Sequence, residues 1–216
     1  MSMSEIINVY SKDSQNIKPQ DRAIFYDSQV AQKNSEIEDY VELVAVFIVN
    51  SRGEVILQKR SNSKRHNPNM LDKAIGGHVV HGDSVDYTVM VETLQELQTP
   101  SIVLRSEEDF IKTKKLLANY LDTICIIKHI DSDYFELTKK LDGSDVKIGN
   151  FTHVFFGVYN GKVRPADREA RGILYYSLDE LEDELQTSPK TFTNDVHAYY
   201  AKYKDQLRAF IEACAE

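Results

Sequence analysis

Glu92 and Glu96 stand four residues apart in VETLQELQT, just after a glycine-containing turn, GGHVVHGDS (76–84). On a helix such carboxylates lie about 40° apart. That is close enough to share a hard divalent cation, Mg2+ or Mn2+. Without a cation the pair repels by a few tenths of a kcal/mol. The spacing alone also describes a solvated acidic face. The turn adds chemistry. Gly76, Gly77 and Gly82 place backbone N–H groups near a helix N-terminus, where anions are stabilised. Asp83 or Ser84 supplies the helix cap, and Asp83 is a secondary ligand candidate. A glycine turn feeding a helix with paired glutamates suits a phosphate held beside a metal.

Other side chains could join such a site. Lys59, Arg60, Lys64 and Arg65 precede the turn and are candidate phosphate contacts. His78 and His81 flank the turn; His78, with Gly76 and Gly77, is a candidate substrate contact. Glu169, in ADREARG, either supplies a carboxylate from another element or is a surface charge among Asp167 and Arg168.

These residues need a scaffold. VELVAVFIVN (41–50) and EVILQKR (54–60) read as strands joined at Gly53, and AIGGHVV (74–80) as a short strand. SNSKRHNPNMLDK (61–73) is loop chemistry. The spacing predicts helices over 84–98, 106–121, 177–185 and 193–216, with Ser177 and Glu180 forming a capping box. Strands are expected at 123–130, 134–141, 151–159 and 172–177. Residues 1–40 read as an extension with an edge strand and a connection, and 191–216 as a C-terminal helix packed on the 41–190 domain. The irregular mixture of strands and helices implies an α/β fold, a mixed sheet with helices on both faces. With the glutamates at zero on the 84–98 helix, Tyr87, Met90, Val91, Leu94 and Leu97 fall within about 60° of the opposite side. This helix is therefore expected to pack through Leu94 and to turn its glutamates away from that packing.

Composition narrows the classes. A net charge of −8 with no basic block disfavours nucleic acid and anionic membrane as partners. Two cysteines, Cys125 and Cys214, without CxxC spacing fit a reducing cytoplasm, and MSMSEIINVYSKD has no signal-peptide pattern. No apolar run reaches the roughly 20 residues that span a bilayer. Tyr199, Tyr200, Tyr203 and Phe210 are expected in the core or at an oligomer contact, such as a homodimer.

The turn and helix resemble the Nudix box, G-x5-E-x7-R-E-U-x-E-E-x-G-U. Gly77 takes the first glycine, Asp83 the first acid, and Glu92 and Glu96 two of the later glutamates. Val91 stands for the arginine, Thr93 for an aliphatic, Gln95 for a glutamate and Gln98 for the last glycine. The flank VFIVNSRGEVILQKRSNSKRHNPNMLDKAIGGHVVHGDS is similar to Nudix proteins related to isopentenyl-diphosphate isomerase, and YYSLDELEDEL resembles the closing strand and helix. The resemblance implies a Nudix-like α/β/α sandwich and a metal-dependent hydrolase of a small diphosphate, a nucleoside diphosphate or NDP-X compound. It implies metal ligation by Glu92 and Glu96, with Gln95 at a third ligand position. A binding module that kept the fold is the alternative. An isomerase is disfavoured, because that family carries a cysteine where this chain has Gly76.

Overall fold

The structure is a computed structural model describing residues 5–12, 14–32, 36–163 and 170–215. Its frame is a mixed sheet. Along the main path lie β10 (Ala170–Tyr176), β4 (Val55–Arg60), β3 (Asp39–Val49), β9 (Ser144–Val158), β8 (Cys125–Leu141) and β7 (Ser101–Leu104). β3 runs parallel to β9, and β7 parallel to β8; the other pairs on this path are antiparallel. Short strands β5 (Leu71–Lys73) and β6 (Ile75–His78) pair with β4 and β3. β1 (Ile6–Ser11) pairs with both β2 (Ser14–Asp21) and β3.

Alternation along β3 explains the layers. Ala45, Phe47 and Val49 face one cluster, with Phe110 of α3 (Glu107–Leu116), Leu181 of α4 (Leu178–Thr187) and the tyrosines of α5 (Asn194–Cys214). Val44, Val46 and Ile48 face the other, with Val89 and Leu97 of α2 (Val85–Leu97). Side chains two residues apart on a strand share a face, so β3 feeds both cores. A third cluster joins Phe25 and Tyr26 of α1 (Arg22–Ala31) to Ile7, Val9 and Val41. The result is an α/β fold with a mixed sheet between helical layers. Tyr199, Tyr200, Tyr203 and Phe210 are all buried inside the chain, so they form core and not an oligomer contact.

Several elements differ from the sequence expectation. Residues 6–31 form two strands and a helix where one edge strand was expected, and β5 lies in the expected loop. β7 was not expected. The strands expected at 123–130 and 134–141 are one continuous β8, carried past IDSD by a register shift between His129 and Asp131. A bulge absorbs an extra residue without ending a strand.

The largest correction concerns α2. Tyr87, Met90 and Leu94 are 53%, 46% and 57% exposed, whereas Val89, Thr93 and Leu97 are at most 2% exposed. The helix packs through the flank of its glutamate face, not through Leu94. The hydrophobic count favoured the wrong side because Thr88 and Thr93 are buried polar residues. Their hydroxyls donate to the carbonyls of Ser84 and Val89, one turn back. Ser84, not Asp83, caps the helix by accepting from the Tyr87 N–H. At the other end Gln98 adopts a left-handed conformation, φ 54°. Left-handed backbone favours glycine, so this is the place where a glycine belongs.

Two outcomes check this packing. Leu97→Ala should lower stability by about 2–4 kcal/mol, while Leu94→Lys should change it by less than about 0.5 kcal/mol, both read from urea unfolding. Gln98→Gly should raise the midpoint, by about 0.5–1 kcal/mol of stability, through relief of the left-handed strain.

Candidate active site

A polar pocket of 310 Å3 opens where β4, β5, β6 and α2 meet. β6 carries Gly76, Gly77 and His78 along its edge, because these residues pair with Ala45, Val44 and Leu43 of β3. α2 crosses behind it and delivers Glu92, Gln95 and Glu96 to the wall. The missing side chain of Gly77 is essential here: a Cβ on it would lie 2.0 Å from Glu92 Oε1 and 2.3 Å from its Cδ. Glu92 therefore lies directly across the glycine strand.

Glu96 sits deep in the fold yet opens on the pocket. Burial, then repulsion from Glu92, pushes its pKa well above the usual carboxylate range, against a hydrogen bond from Gln58 and the charge of Lys73. Gln58 Nε2 donates to Glu96 Oε2 at 2.7 Å and to the Ala74 carbonyl at 3.0 Å. Cations line the same pocket as the glutamates. Lys73 Nζ donates to Asp72 Oδ1 at 3.2 Å and lies 3.8 Å from Asp195 Oδ2. Lys139 Nζ is 3.5 Å from Asp195 Oδ1. Burial would lower the Lys73 pKa, but Asp72 and Asp195 raise it, so it stays charged. Burial and Lys73 lower that of Lys139. Arg60 is held by Asp72, at 2.9 Å, and by the His66 carbonyl. Burial and the surrounding cations hold His66 near 3, and hold His78 well below the usual histidine value. Both are neutral imidazoles at pH 7. Tyr26 hydroxyl bonds His78 Nε2 at 2.8 Å.

Arg60, Lys64, Gly76, Gly77, His78, Glu92, Gln95 and Glu96 thus line one pocket. Lys59, Arg65, His81 and Asp83 fall outside this lining. Arg65 reaches away, to Asp27 at 2.7 Å and Asp142 at 2.8 Å. Asp83 is exposed and outside the lining. Glu169 lies outside the described residues. Sequence reasoning missed Gln58, Lys73, Lys139 and Asp195, which come from distant elements. Only Gln58 carried a signal, as the first residue of the QKR run quoted in the resemblance.

Whether these residues suit a divalent cation follows from the donor set. Glu92 and Glu96 are hard oxygen donors that repel when both are ionised, a strain that a cation relieves. Among the described residues no group of three or more His, Cys, Asp or Glu forms a closed cage. The residues therefore fit an open, two-carboxylate site with remaining positions for substrate and water.

A NUDIX domain model matches residues 39–196. The chain belongs to the Nudix family. It is 24% identical over 149 residues to isopentenyl-diphosphate Delta-isomerase from Serratia proteamaculans, covering 69% of this chain and 68% of that one. By structure it is similar to DR0079 from Deinococcus radiodurans, with TM-score 0.59, 14% identity, and coverage of 98% and 100% of the two chains. It is also similar to MutT protein from Methanosarcina mazei Go1, with TM-score 0.52, 20% identity, and coverage of 77% and 94%. These likenesses show a Nudix fold. Within it, Lys73 of β5 lies near enough to Glu96 for its charge to lower the Glu96 pKa.

The raised Glu96 pKa has a direction that can be measured. Because protonation is favoured in the folded state, its contribution to stability is full below the unfolded value near 4.5 and is lost as pH rises through the raised value. In metal-free protein, Glu96→Gln should therefore unfold at a higher temperature than wild type at pH 8. The gap should shrink at pH 4, as read by circular dichroism.

Proposed function

We propose that this protein is a Nudix-type hydrolase that cleaves the diphosphate linkage of a nucleoside diphosphate or NDP-X compound, with Mg2+ or Mn2+. Family membership supports the hydrolase. The observation carrying the finer reading is that Glu92 and Glu96 line one polar pocket together with Lys73, Lys139 and Arg60. Nudix proteins generally use divalent metals; here Glu92 and Glu96 would hold the ion, which supplies charge neutralisation on phosphate oxygens.

The chain's own groups do the rest. Lys73 and Arg60, which line the same pocket, offset phosphate charge. Gly76 and Gly77 leave their side-chain space to Lys73 and Glu92, which brings both charged groups up to the glycine strand where the diphosphate would lie. Whichever glutamate is ionised and not engaged by the cation can hold a water and take its proton. The neutral imidazole of His78, oriented by Tyr26, adds a polar contact without charge. Two buried free thiols and the acidic surface suit a cytoplasmic setting.

The lining disfavours an isopentenyl substrate. Among the described residues Leu43 and Val44 are its only aliphatic side chains, so a branched hydrocarbon tail finds little apolar wall. A Cβ at Gly76 would sit 2.9 Å from Lys73 Cε and Nζ, so the position of the isomerase cysteine is crowded by an ammonium. A binding module is the second reading, favoured by the neutral Gln95 and by Val91 in place of the box arginine.

A panel of nucleoside diphosphate derivatives with Mn2+ tests the proposal. Turnover should appear on at least one, and Glu96→Gln or Glu92→Gln should lower kcat/KM at least 100-fold. Absence of turnover together with ligand-induced thermal stabilisation would establish the binding module instead. Gly77→Ala should weaken Mn2+ binding at least tenfold in calorimetry by displacing the Glu92 carboxylate. Stability should shift by only about 1 kcal/mol, because the clash is with a movable side chain.

A further inference from the structure

Away from the pocket, a second group of polar side chains crosses three strands. Ser132 Oγ of β8 is 2.7 Å from His153 Nδ1 of β9, and His153 Nε2 is 2.8 Å from Glu42 Oε1 of β3. Glu42 and His153 are buried; Ser132 is half-buried. None of the three lines the diphosphate pocket. The register shift between His129 and Asp131 sets Ser132 directly opposite His153.

The direction of each bond follows from the charge on Glu42. Burial would raise its pKa, but hydrogen bonds from His153, Asn8 and Tyr10 outweigh burial and lower it. Asn8 Nδ2 donates to Oε2 at 2.8 Å, and Tyr10 hydroxyl to Oε1 at 3.2 Å. Glu42 is thus a carboxylate and can only accept. His153 must donate to it from Nε2. In the neutral ring Nδ1 is then the acceptor, and Ser132 donates to it. On its other side Ser132 Oγ accepts from His129 Nε2, at 3.0 Å. Burial and nearby Arg105 lower the His129 pKa, which favours the neutral form of that ring.

Hydroxyl, imidazole and carboxylate in this order are the arrangement that activates a serine. The relay is not needed to hold the strands. β3 and β9 already pair from Tyr40↔Gly149 to Val49↔Val158, and β8 and β9 pair from Ile126↔Val158 to Leu141↔Ser144. An aromatic cluster adjoins it. Phe151 stacks on Tyr134 at 4.6 Å and meets the His153 ring at 4.9 Å, and Tyr134 is 45% exposed.

We propose that Ser132, His153 and Glu42 form a second site, at which Ser132 is acylated by a small aryl ester. Oγ bonds to the carbonyl carbon, and the carbon–oxygen bond to the aryl group breaks. The Oγ proton passes to His153 Nδ1 and on to the departing phenolate. Glu42 steadies the imidazolium, and the His129 N–H donates to the carbonyl oxygen as it gains charge. Water then adds by the same relay and releases the carboxylic acid, restoring Ser132.

The full chain is treated with a fluorophosphonate probe and, separately, with p-nitrophenyl acetate. A single adduct should map to Ser132 and vanish in Ser132→Ala, with diphosphate hydrolysis unchanged. Glu42→Gln should slow labelling at least tenfold. Because Glu42 is buried, Ser132→Cys provides a test that leaves the network in place. Its alkylation by iodoacetamide at pH 6 should be at least fivefold faster than in Ser132→Cys with His153→Gln. No adduct at Ser132 in folded protein, or equal alkylation in both backgrounds, overturns the proposal.

Discussion

The site rests on keeping two carboxylates close together in a low-dielectric wall. Glu96 is buried beside Glu92, and both effects push its pKa upward. The protein offsets part of this repulsion itself. Gln58 donates to Glu96, Lys73 adds a positive charge nearby, and Gly77 leaves the space that Glu92 occupies.

Lys73 also ties this wall to the rest of the molecule. It bonds Asp72 and approaches Asp195 near the start of α5, and Asp195 approaches Lys139 of β8. Asp72 in turn accepts from Thr193, the cap of α5, at 3.0 Å. Buried charges of this kind are tolerated when each has a partner of opposite sign. The C-terminal helix is thus docked by apolar packing along its length and by ion pairs at its N-terminal end. α1 contributes Arg22 and Tyr26 to the opposite side of the pocket. Segments from both ends of the chain therefore shape a pocket whose glycines and glutamates come from its middle.

Much of the scaffold was legible in the sequence. The strands at 41–50 and 54–60 follow from apolar runs broken at Gly53, which takes φ 77°. The cap at Ser177 follows from local side-chain chemistry and forms as a capping box. Short β5 and β7 were not legible, because three or four residues paired by a neighbouring strand carry no period of their own. The packing face of α2 was misread for a different reason. Hydrophobic counting treats threonine as polar, yet Thr88 and Thr93 satisfy their hydroxyls on the helix backbone and enter the core.

By itself, the sequence determined what is local: the glycine turn, the i, i+4 glutamates, the helix caps and the family resemblance. Each depends on residues within a few turns of one another, where chain geometry fixes the distances. Only the tertiary structure decided which face of α2 is buried, that Glu96 is strained toward protonation, and that Lys73 supplies the cation beside it. It also decided that Ser132 lies against His153 and Glu42. Those outcomes depend on burial and on partners up to 111 residues away in the chain. Electrostatic and hydrogen-bond energies follow distance in space and the local dielectric, and neither is written in the order of residues.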